Sequence, residues 1–360
     1  MVTALFDRLT SFANLLRAAQ QAQRSKRTRP DVGAFAFSLE CELIRLQREL
    51  RARTYRPGPY RTFTVQEKKP RLISAAPYRD RVVHHALCNV LEPVFERRFL
   101  FDSYASRRGK GSHAAVARAS AYARRFRYVL KCDVEKYFPS IDHELLFDLI
   151  ARRIHDEGVL WLARTIINGS NLQPEIVRYF PGDDLFTPMA RRRGIPIGNQ
   201  TSQFFANVYL DGLDHYVKES LRAPGYVRYV DDCVLFADEK AALHAALAAM
   251  RDYCATLRLS LHPRKCAISP AAAGVTFLGY RLFPTHRRLD ADNVRRFRRR
   301  LRRYREAVAD GTVSFSKAGE GIRSWVAHAA HADTVRLRQR LLTNVVWSVR
   351  PDCAGSVAQR

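Results

Sequence analysis

The feature that most constrains this chain is a pair of adjacent acids set between two apolar runs, Tyr226-Val227-Arg228-Tyr229-Val230-Asp231-Asp232-Cys233-Val234-Leu235-Phe236-Ala237. β-Branched and aromatic residues on both sides predict a strand, a tight turn and a return strand. Neighbouring carboxylates at the tip repel each other, and burying either without a partner is costly. Two readings are open. Asp is a good turn residue, so the pair can be a solvated turn. Alternatively the acids hold divalent metal, which requires a further carboxylate from elsewhere in the chain.

At 360 residues the chain is long enough for a sizeable core with two or three subdomains around it. Hydrophobic residues make up 47% and aromatics 11%, the composition of a folded protein rather than a disordered one. No apolar run reaches the roughly 18 residues needed to cross a bilayer, and the N-terminus lacks a signal-peptide core. The seven cysteines are scattered and include no C-x-x-C pair. That argues against a disulfide framework and a zinc site, and predicts a cytoplasmic protein. Net charge is +26 and the pI is near 10.3, which predicts a polyanionic partner, above all nucleic acid. The charge recurs along the chain, in Arg24 to Arg29, Arg107-Arg108-Gly109-Lys110, Arg191-Arg192-Arg193 and Arg295 to Arg305. Interleaved with Tyr and Phe, these runs predict a channel that tracks a nucleic-acid backbone.

Periodicity predicts helices up to residue 53, with Leu39, Leu43, Leu46 and Leu50 on one face. A hairpin follows at 60–65 and 71–74, then a helix after Pro77 that bends or restarts at Pro93. Residues 103–111 read as a basic loop, 114–126 as a helix and 128–133 as a short strand. Asp142 is placed to cap a helix running to 154, with a second helix at 160–167. Residues 169–194 read as loop and 201–221 as helix. After the acidic hairpin come a helix at 241–257 and a strand at 275–283 with Gly279 at its centre. The last helices open with an apolar stripe, Val294, Phe297, Leu301, Tyr304 and Val308, surrounded by arginine.

The strand at 128–133 ends in Asp133 and supplies the missing acid. Nucleotidyl transfer displaces pyrophosphate in line, so charge builds on the attacking 3′ oxygen and on the leaving group. Two magnesium ions about 4 Å apart stabilise both ends. Mg²⁺ takes hard oxygens and needs few carboxylates when substrate phosphates complete its shell. Asp133 and Asp231 fit as principal ligands, with Asp232 as a further ligand or electrostatic support.

Tyr229-Val230-Asp231-Asp232 resembles the Y-x-D-D box of reverse transcriptases, and further blocks resemble that family in its order. They are residues 68–91, Ser103 to His113, Asp133 to Asp142, Gly194 to Leu210, Leu261 to Cys266 and Phe277-Leu278-Gly279-Tyr280. Within Gly194 to Gln203, other bacterial reverse transcriptases carry Pro-Gln-Gly and Ser-Pro. This chain has Ile197 for the Gln and Gln203 for the Pro. That pattern, with Gly58 to Leu91, Ser324-Trp325-Val326-Ala327-His328 and His331 to Thr334, is similar to the reverse transcriptases of diversity-generating retroelements.

The resemblance implies an α+β right-hand polymerase. Its palm is RRM-like, an antiparallel sheet with helices; its fingers combine helices with a β-hairpin; its thumb is short and helical. The expected boundaries are an N-terminal helical extension at 1–55, fingers at 56–127, palm at 128–285 with an insertion at 155–195, thumb at 286–348 and a loose tail at 349–360. It implies an RNA-directed DNA polymerase that copies a retroelement template RNA with errors at adenines for mutagenic retrohoming. The alternatives are a retron-like or phage-defence enzyme and an RNA-binding scaffold with an inactive palm.

The implied cofactor is Mg²⁺, as two ions, with Mn²⁺ as a possible substitute. Asp133, Val134, Asp231 and Asp232 are the implied metal-binding residues. Lys69, Arg71, Tyr137, Phe138, Ile197, Gly198, Gln203 and Lys265 would face the nucleotide. Tyr137 or Phe138 would screen the sugar 2′ position, Arg71 and Lys69 would grip the triphosphate, and Lys265 would be a general acid or a phosphate contact. Arg107, Arg108, Lys110, Arg295, Arg299, Arg302 and Arg303 would contact nucleic acid. Expected partners are template RNA, the RNA–cDNA duplex, deoxynucleoside triphosphates and a small basic accessory protein oligomer, with no membrane. Fewer than 60 residues follow the first C-terminal helix, so no RNase H domain is expected, and with no Cys/His cluster no zinc or endonuclease module is expected.

Overall fold

The computed structural model describes residues 4–66, 70–171, 176–343, 345 and 347. Lys69, the turn at 67–69 and the tail after 348 lie outside them. The chain opens with helices α1 (Leu5–Thr10), α2 (Phe12–Ala22), α3 (Pro30–Phe37) and α4 (Leu39–Arg51). Leu43, Leu46 and Leu50 of α4 are buried, as their spacing requires. Strands β1 (Arg61–Gln66) and β2 (Pro70–Ala75) pair as an antiparallel hairpin. Helix α5 (Tyr78–Glu96) follows. It runs through Pro93 without a break.

The centre is an antiparallel sheet of four strands in the order β4-β5-β3-β6. Strand β3 (Tyr128–Asp133) follows α6 (Ser112–Arg125). Strands β4 (Gly225–Tyr229) and β5 (Asp232–Ala237) form the acidic hairpin, and β6 (Ala267–Pro270) closes the other edge. Side chains alternate across the sheet. Leu130, Cys132, Cys233 and Leu235 face one core. Val129, Val227, Val234 and Phe236 face a second core. Covering on both faces explains why these strands read as continuous apolar runs.

The first core is covered by α5 and by helices between the two acid-bearing segments. These are α7 (Tyr137–Ser140), α8 (His143–Ala151), α9 (Glu157–Asn168) and α11 (Gln200–His215), together with α12 (Lys240–Thr256); the short α10 (Thr187–Ala190) lies in the chain between α9 and α11. Asp142 caps α8 by accepting from the backbone N–H of Glu144 and Leu145. Helix α10 falls where loop was expected. The helix expected at 201–221 ends at His215 and continues as a π-helical turn over Tyr216–Ser220.

The predicted strand at 275–283 is instead a hairpin of β7 (Val275–Phe277) and β8 (Tyr280–Leu282), with β9 (Arg287–Leu289) beside it. Leu278 and Gly279 turn with φ of 48° and 85°. Positive φ at both central positions is the two-residue hairpin geometry, and the leucine hid it from the sequence. Helices α13 (Ala291–Ala309), α14 (Phe315–Ala329) and α15 (Val335–Leu342) end the described chain. Phe297 stacks on Trp325 with ring centroids 3.6 Å apart, joining α13 to α14. No helix among the described residues is long and apolar enough to cross a membrane.

Candidate active site

The site is built by strand register. Asp133 ends β3 directly opposite Asp232, which begins β5. Asp231 is the second residue of the two-residue turn Val230-Asp231 between β4 and β5. Val230 holds φ of 58°, a region that β-branched residues avoid, so the turn is strained where the acids sit. The backbone carbonyl of Asp231 accepts from Val134 N–H at 3.4 Å. Three carboxylates from distant parts of the chain thus share one end of the sheet.

All three acids are partly buried. Burial, then the charge of Asp133, raises Asp231 to about 6. Burial raises Asp232 to about 7, against the pull of Lys131. Lys131 lies 3.6 Å from Asp232 and also donates to the Thr276 carbonyl at 2.8 Å. Lys265 bonds to Asp133 Oδ2. It stands on a turn, His262 to Lys265, that bulges out of the β6 side of the sheet. His262 N–H donates to the Asp133 carbonyl at 2.7 Å, and Lys265 N–H donates to the His262 carbonyl at 3.3 Å.

The donor set suits a hard divalent cation. All the acids offer oxygen, and Asp232 Oδ1 is buried without a hydrogen-bond partner among the described residues. In this geometry two lysine ammoniums supply the positive charge. Asp133 and Asp231 lie within hydrogen-bonding reach of each other. Among the described residues no group of three or more His, Cys, Asp or Glu is set to hold a metal as it stands. Lys265 occupies Asp133 Oδ2, one of the oxygens a cation would take.

Behind the turn lies a network that the sequence reading missed. Arg228 Nε and Nη2 each donate to Asp214 at 2.6 Å, and Arg228 Nη1 donates to the Val230 carbonyl at 2.9 Å and Asn207 Oδ1 at 3.3 Å. Tyr226 donates to Asp214 at 2.7 Å. Burial alone would lower the pKa of the guanidinium, but the Asp214 carboxylate more than offsets it and the pKa lies above the usual value. The backbone of Arg228 also receives the loop before α6, through its N–H to the Asp102 carbonyl and its carbonyl from Tyr104 N–H, both 2.9 Å. The available signal was a lone arginine inside an otherwise apolar strand.

The loop carries three of the expected nucleic-acid contacts, and two of them, Arg107 and Lys110, are occupied. Arg107 forks onto Glu96 and donates to the Leu100 and Ser103 carbonyls at 2.6 and 2.7 Å. Lys110 donates to the Phe101 carbonyl at 2.8 Å and lies 3.3 Å from its ring centroid. These side chains clamp the loop by donating to its backbone carbonyls. Arg108 is exposed and lines a cleft of about 570 Å³ with Arg17 and Arg24.

Tyr137 packs inward. Its ring is 2% exposed and its hydroxyl donates to the Ala206 carbonyl, so it belongs to the core. Phe138 beside it is only partly buried. Arg71 is exposed on β2. The Ile197 carbonyl accepts from Ser74 N–H at 3.0 Å, and its side chain is partly exposed. Gly198 holds φ of 121°, and a Cβ there would meet Ile73 at 3.0 Å. Only glycine fits such a close passage under the hairpin. Asn199 fastens the same segment to β2 through Ala76 N–H and the Ser74 carbonyl, both 3.3 Å. Gln203 accepts from Ser106 at 3.0 Å, tying it to the basic loop. Arg295, Arg299, Arg302 and Arg303 are exposed on α13, opposite the buried Phe297, Leu301 and Val308.

A mixed helix-and-sheet fold with carboxylates gathered at one sheet end, in a strongly basic chain, defines a nucleic-acid enzyme of the polymerase kind. Residues 61–282 match the family described as reverse transcriptase (RNA-dependent DNA polymerase), and the chain belongs to that family. Reverse transcriptase domains use divalent metal ions such as Mg²⁺. Among relatives, the chain is 26% identical to protein YkfC of Escherichia coli K12 over 68% of its own length and 72% of that protein. It is 26% identical to the group II intron-encoded protein LtrA of Lactococcus lactis subsp. cremoris over 52% of its length and 30% of that protein. A 91 kDa protein in the cob intron of Schizosaccharomyces pombe is 28% identical over 42% of this chain and 17% of its own. The chain thus spans less than a third of these two intron proteins.

Proposed function

We propose that this reverse transcriptase copies a structured retroelement RNA into cDNA with frequent errors opposite template adenines. The observation that carries the chemistry is the meeting of Asp133 with Asp231 and Asp232 at paired strand ends. In this reading the central sheet and its helices are the palm, the β1–β2 hairpin belongs to the fingers, and α13 to α15 form the thumb. Asp133 and Asp231 hold metal, with Asp232 and the Val134 carbonyl completing the ligand set. When bound, two Mg²⁺ ions, replaceable by Mn²⁺, neutralise charge on the attacking 3′ oxygen and on pyrophosphate. Lys265, released from Asp133, turns to the phosphates. Arg71 and Lys69 grip the triphosphate. Phe138 bars a 2′-hydroxyl by bulk. Arg108 and the α13 arginines follow the nucleic-acid backbones, and an A-like hybrid is held by shape rather than sequence. By the same resemblance a small basic accessory protein is a partner.

The error-prone part of the proposal rests on Ile197 and Gln203. Glutamine beside the nascent pair can hydrogen-bond to it; isoleucine cannot, which removes a polar test of pairing. Primer extension on an adenine-containing RNA with purified wild-type and Ile197→Gln enzyme measures this directly. Fewer errors at adenine in the variant, with errors at other bases little changed, are expected. An unchanged adenine error frequency would overturn the role given to Ile197.

A further inference from the structure

Three cysteines stand on the strand rungs immediately behind the catalytic acids. Cys132 is directly opposite Cys233 in the β3–β5 ladder. The β3–β6 ladder ends with Lys131 opposite Ala267, and Cys132 and Cys266 are the residues that flank its end. The Cys132 thiol lies against both neighbours. Opposed residues of antiparallel strands have Cα atoms roughly 4.5–5.5 Å apart, within the span a disulfide bridges.

Access separates the two pairs. Cys132 is 0% and Cys233 3% exposed. Cys266 is partly exposed and directly follows the turn that carries Lys265. We infer that Cys266 and Cys132 form a site of reversible oxidation, where a peroxide-class oxidant closes a disulfide that holds Lys265 on Asp133. In the first step the Cys266 sulfur attacks a peroxide oxygen, the O–O bond breaks, and a sulfenic acid and water form. In the second the Cys132 sulfur attacks the Cys266 sulfur, the S–O bond breaks, and the hydroxide leaves as water with the Cys132 proton. Two thiols and one peroxide become one disulfide and two waters.

The consequence follows from the anchoring of the turn. His262 N–H already ties its first residue to the Asp133 carbonyl at 2.7 Å. The disulfide ties the residue after Lys265 to β3, next to Asp133. With both ends fixed, Lys265 keeps its hold on the carboxylate that a cation must take. The inhibitory part of the inference rests on the polymerase reading; the crosslink does not.

The test treats the full-length chain with hydrogen peroxide, maps disulfides by mass spectrometry of the alkylated digest, and follows primer extension before and after dithiothreitol. Wild type is expected to lose about tenfold or more of its extension rate, to regain it on reduction, and to yield a peptide pair joined through Cys132 and Cys266. Cys266→Ser and, as a second variant, Cys132→Ala are expected to resist; exposed Cys41→Ser is expected to stay sensitive. A Cys132–Cys233 link, no link, or a Cys266→Ser enzyme as sensitive as wild type would each overturn the inference. A chain without polymerase activity that still forms the Cys132–Cys266 link would count against the polymerase reading alone.

Discussion

Arg228 and Asp214 form a two-pronged ion pair, 1% and 0% exposed, directly behind the Val230-Asp231 turn. Removing one partner strands the other charge in the core, so Asp214→Asn should cost about 3–5 kcal/mol of stability by chemical denaturation. Replacing both with apolar residues, Arg228→Met with Asp214→Leu, should recover most of that loss. The double variant still lacks the donor to the Val230 carbonyl. It should therefore fold and remain slow in primer extension, with kcat lowered more than KM is raised. A double variant with wild-type kcat would show that the pair serves only the core.

The raised acids give a pH signature. Asp231 titrates near 6 and Asp232 near 7 in the fold, against 3.8 for the unfolded residue. The folded protein thus holds protons that the unfolded chain releases. The stability from these groups is present below about pH 4 and is lost as pH rises through 6 to 7. Asp232→Asn should remove the part of that loss due to Asp232, raising stability at pH 8 by roughly 2–4 kcal/mol and changing it little at pH 4. Protons compete with cations for the same oxygens. Millimolar Mg²⁺ should raise the thermal midpoint of wild type at pH 8, less so at pH 6, and should not raise that of Asp133→Asn. Equal Mg²⁺ stabilisation of Asp133→Asn would remove Asp133 from the metal site.

Most of this architecture was legible because it is local. β3 falls at the predicted residues, 128–133, and Asp142 caps the predicted helix, since cap and strand signals lie in adjacent residues. The three acids could be grouped because their chemistry demands a common place. What was not legible depends on distant neighbours. Arg107 and Lys110 look like free cations in the sequence, and only the fold supplies the Glu96 carboxylate and the carbonyls that occupy them. The burial of Tyr137 likewise depends on α11 passing over it, where its hydroxyl donates to the Ala206 carbonyl. The turn at Leu278 was hidden because leucine rarely takes positive φ.

Tyr137 and Phe138 now have separable roles. Tyr137→Phe loses one buried hydrogen bond, which should cost about 1 kcal/mol of stability and leave the preference for deoxynucleotides intact. Phe138→Ala should admit ribonucleoside triphosphates, read as their relative kcat/KM against the deoxy forms. If Tyr137→Phe or Tyr137→Ala relaxes sugar choice and Phe138→Ala does not, the assignment is reversed.

The exposed arginines of α13 should act through charge alone. Changing Arg295, Arg299, Arg302 and Arg303 together to Gln should weaken duplex binding for all sequences alike. Each phosphate contact removed should flatten the dependence of log affinity on log salt by about 0.7–0.9. An unchanged salt slope would place the duplex elsewhere.

The most direct test of the site is single-turnover extension of a DNA primer on an RNA template with Mg²⁺, comparing wild type with Asp133→Asn and Asp231→Asn, with duplex binding measured alongside. Wild type should add deoxynucleotides, and both variants should lose about 10³-fold or more of the rate while binding the duplex within about twofold of wild type. Extension by Asp231→Asn at a rate close to wild type would contradict the assignment of the strand-end acids to catalysis.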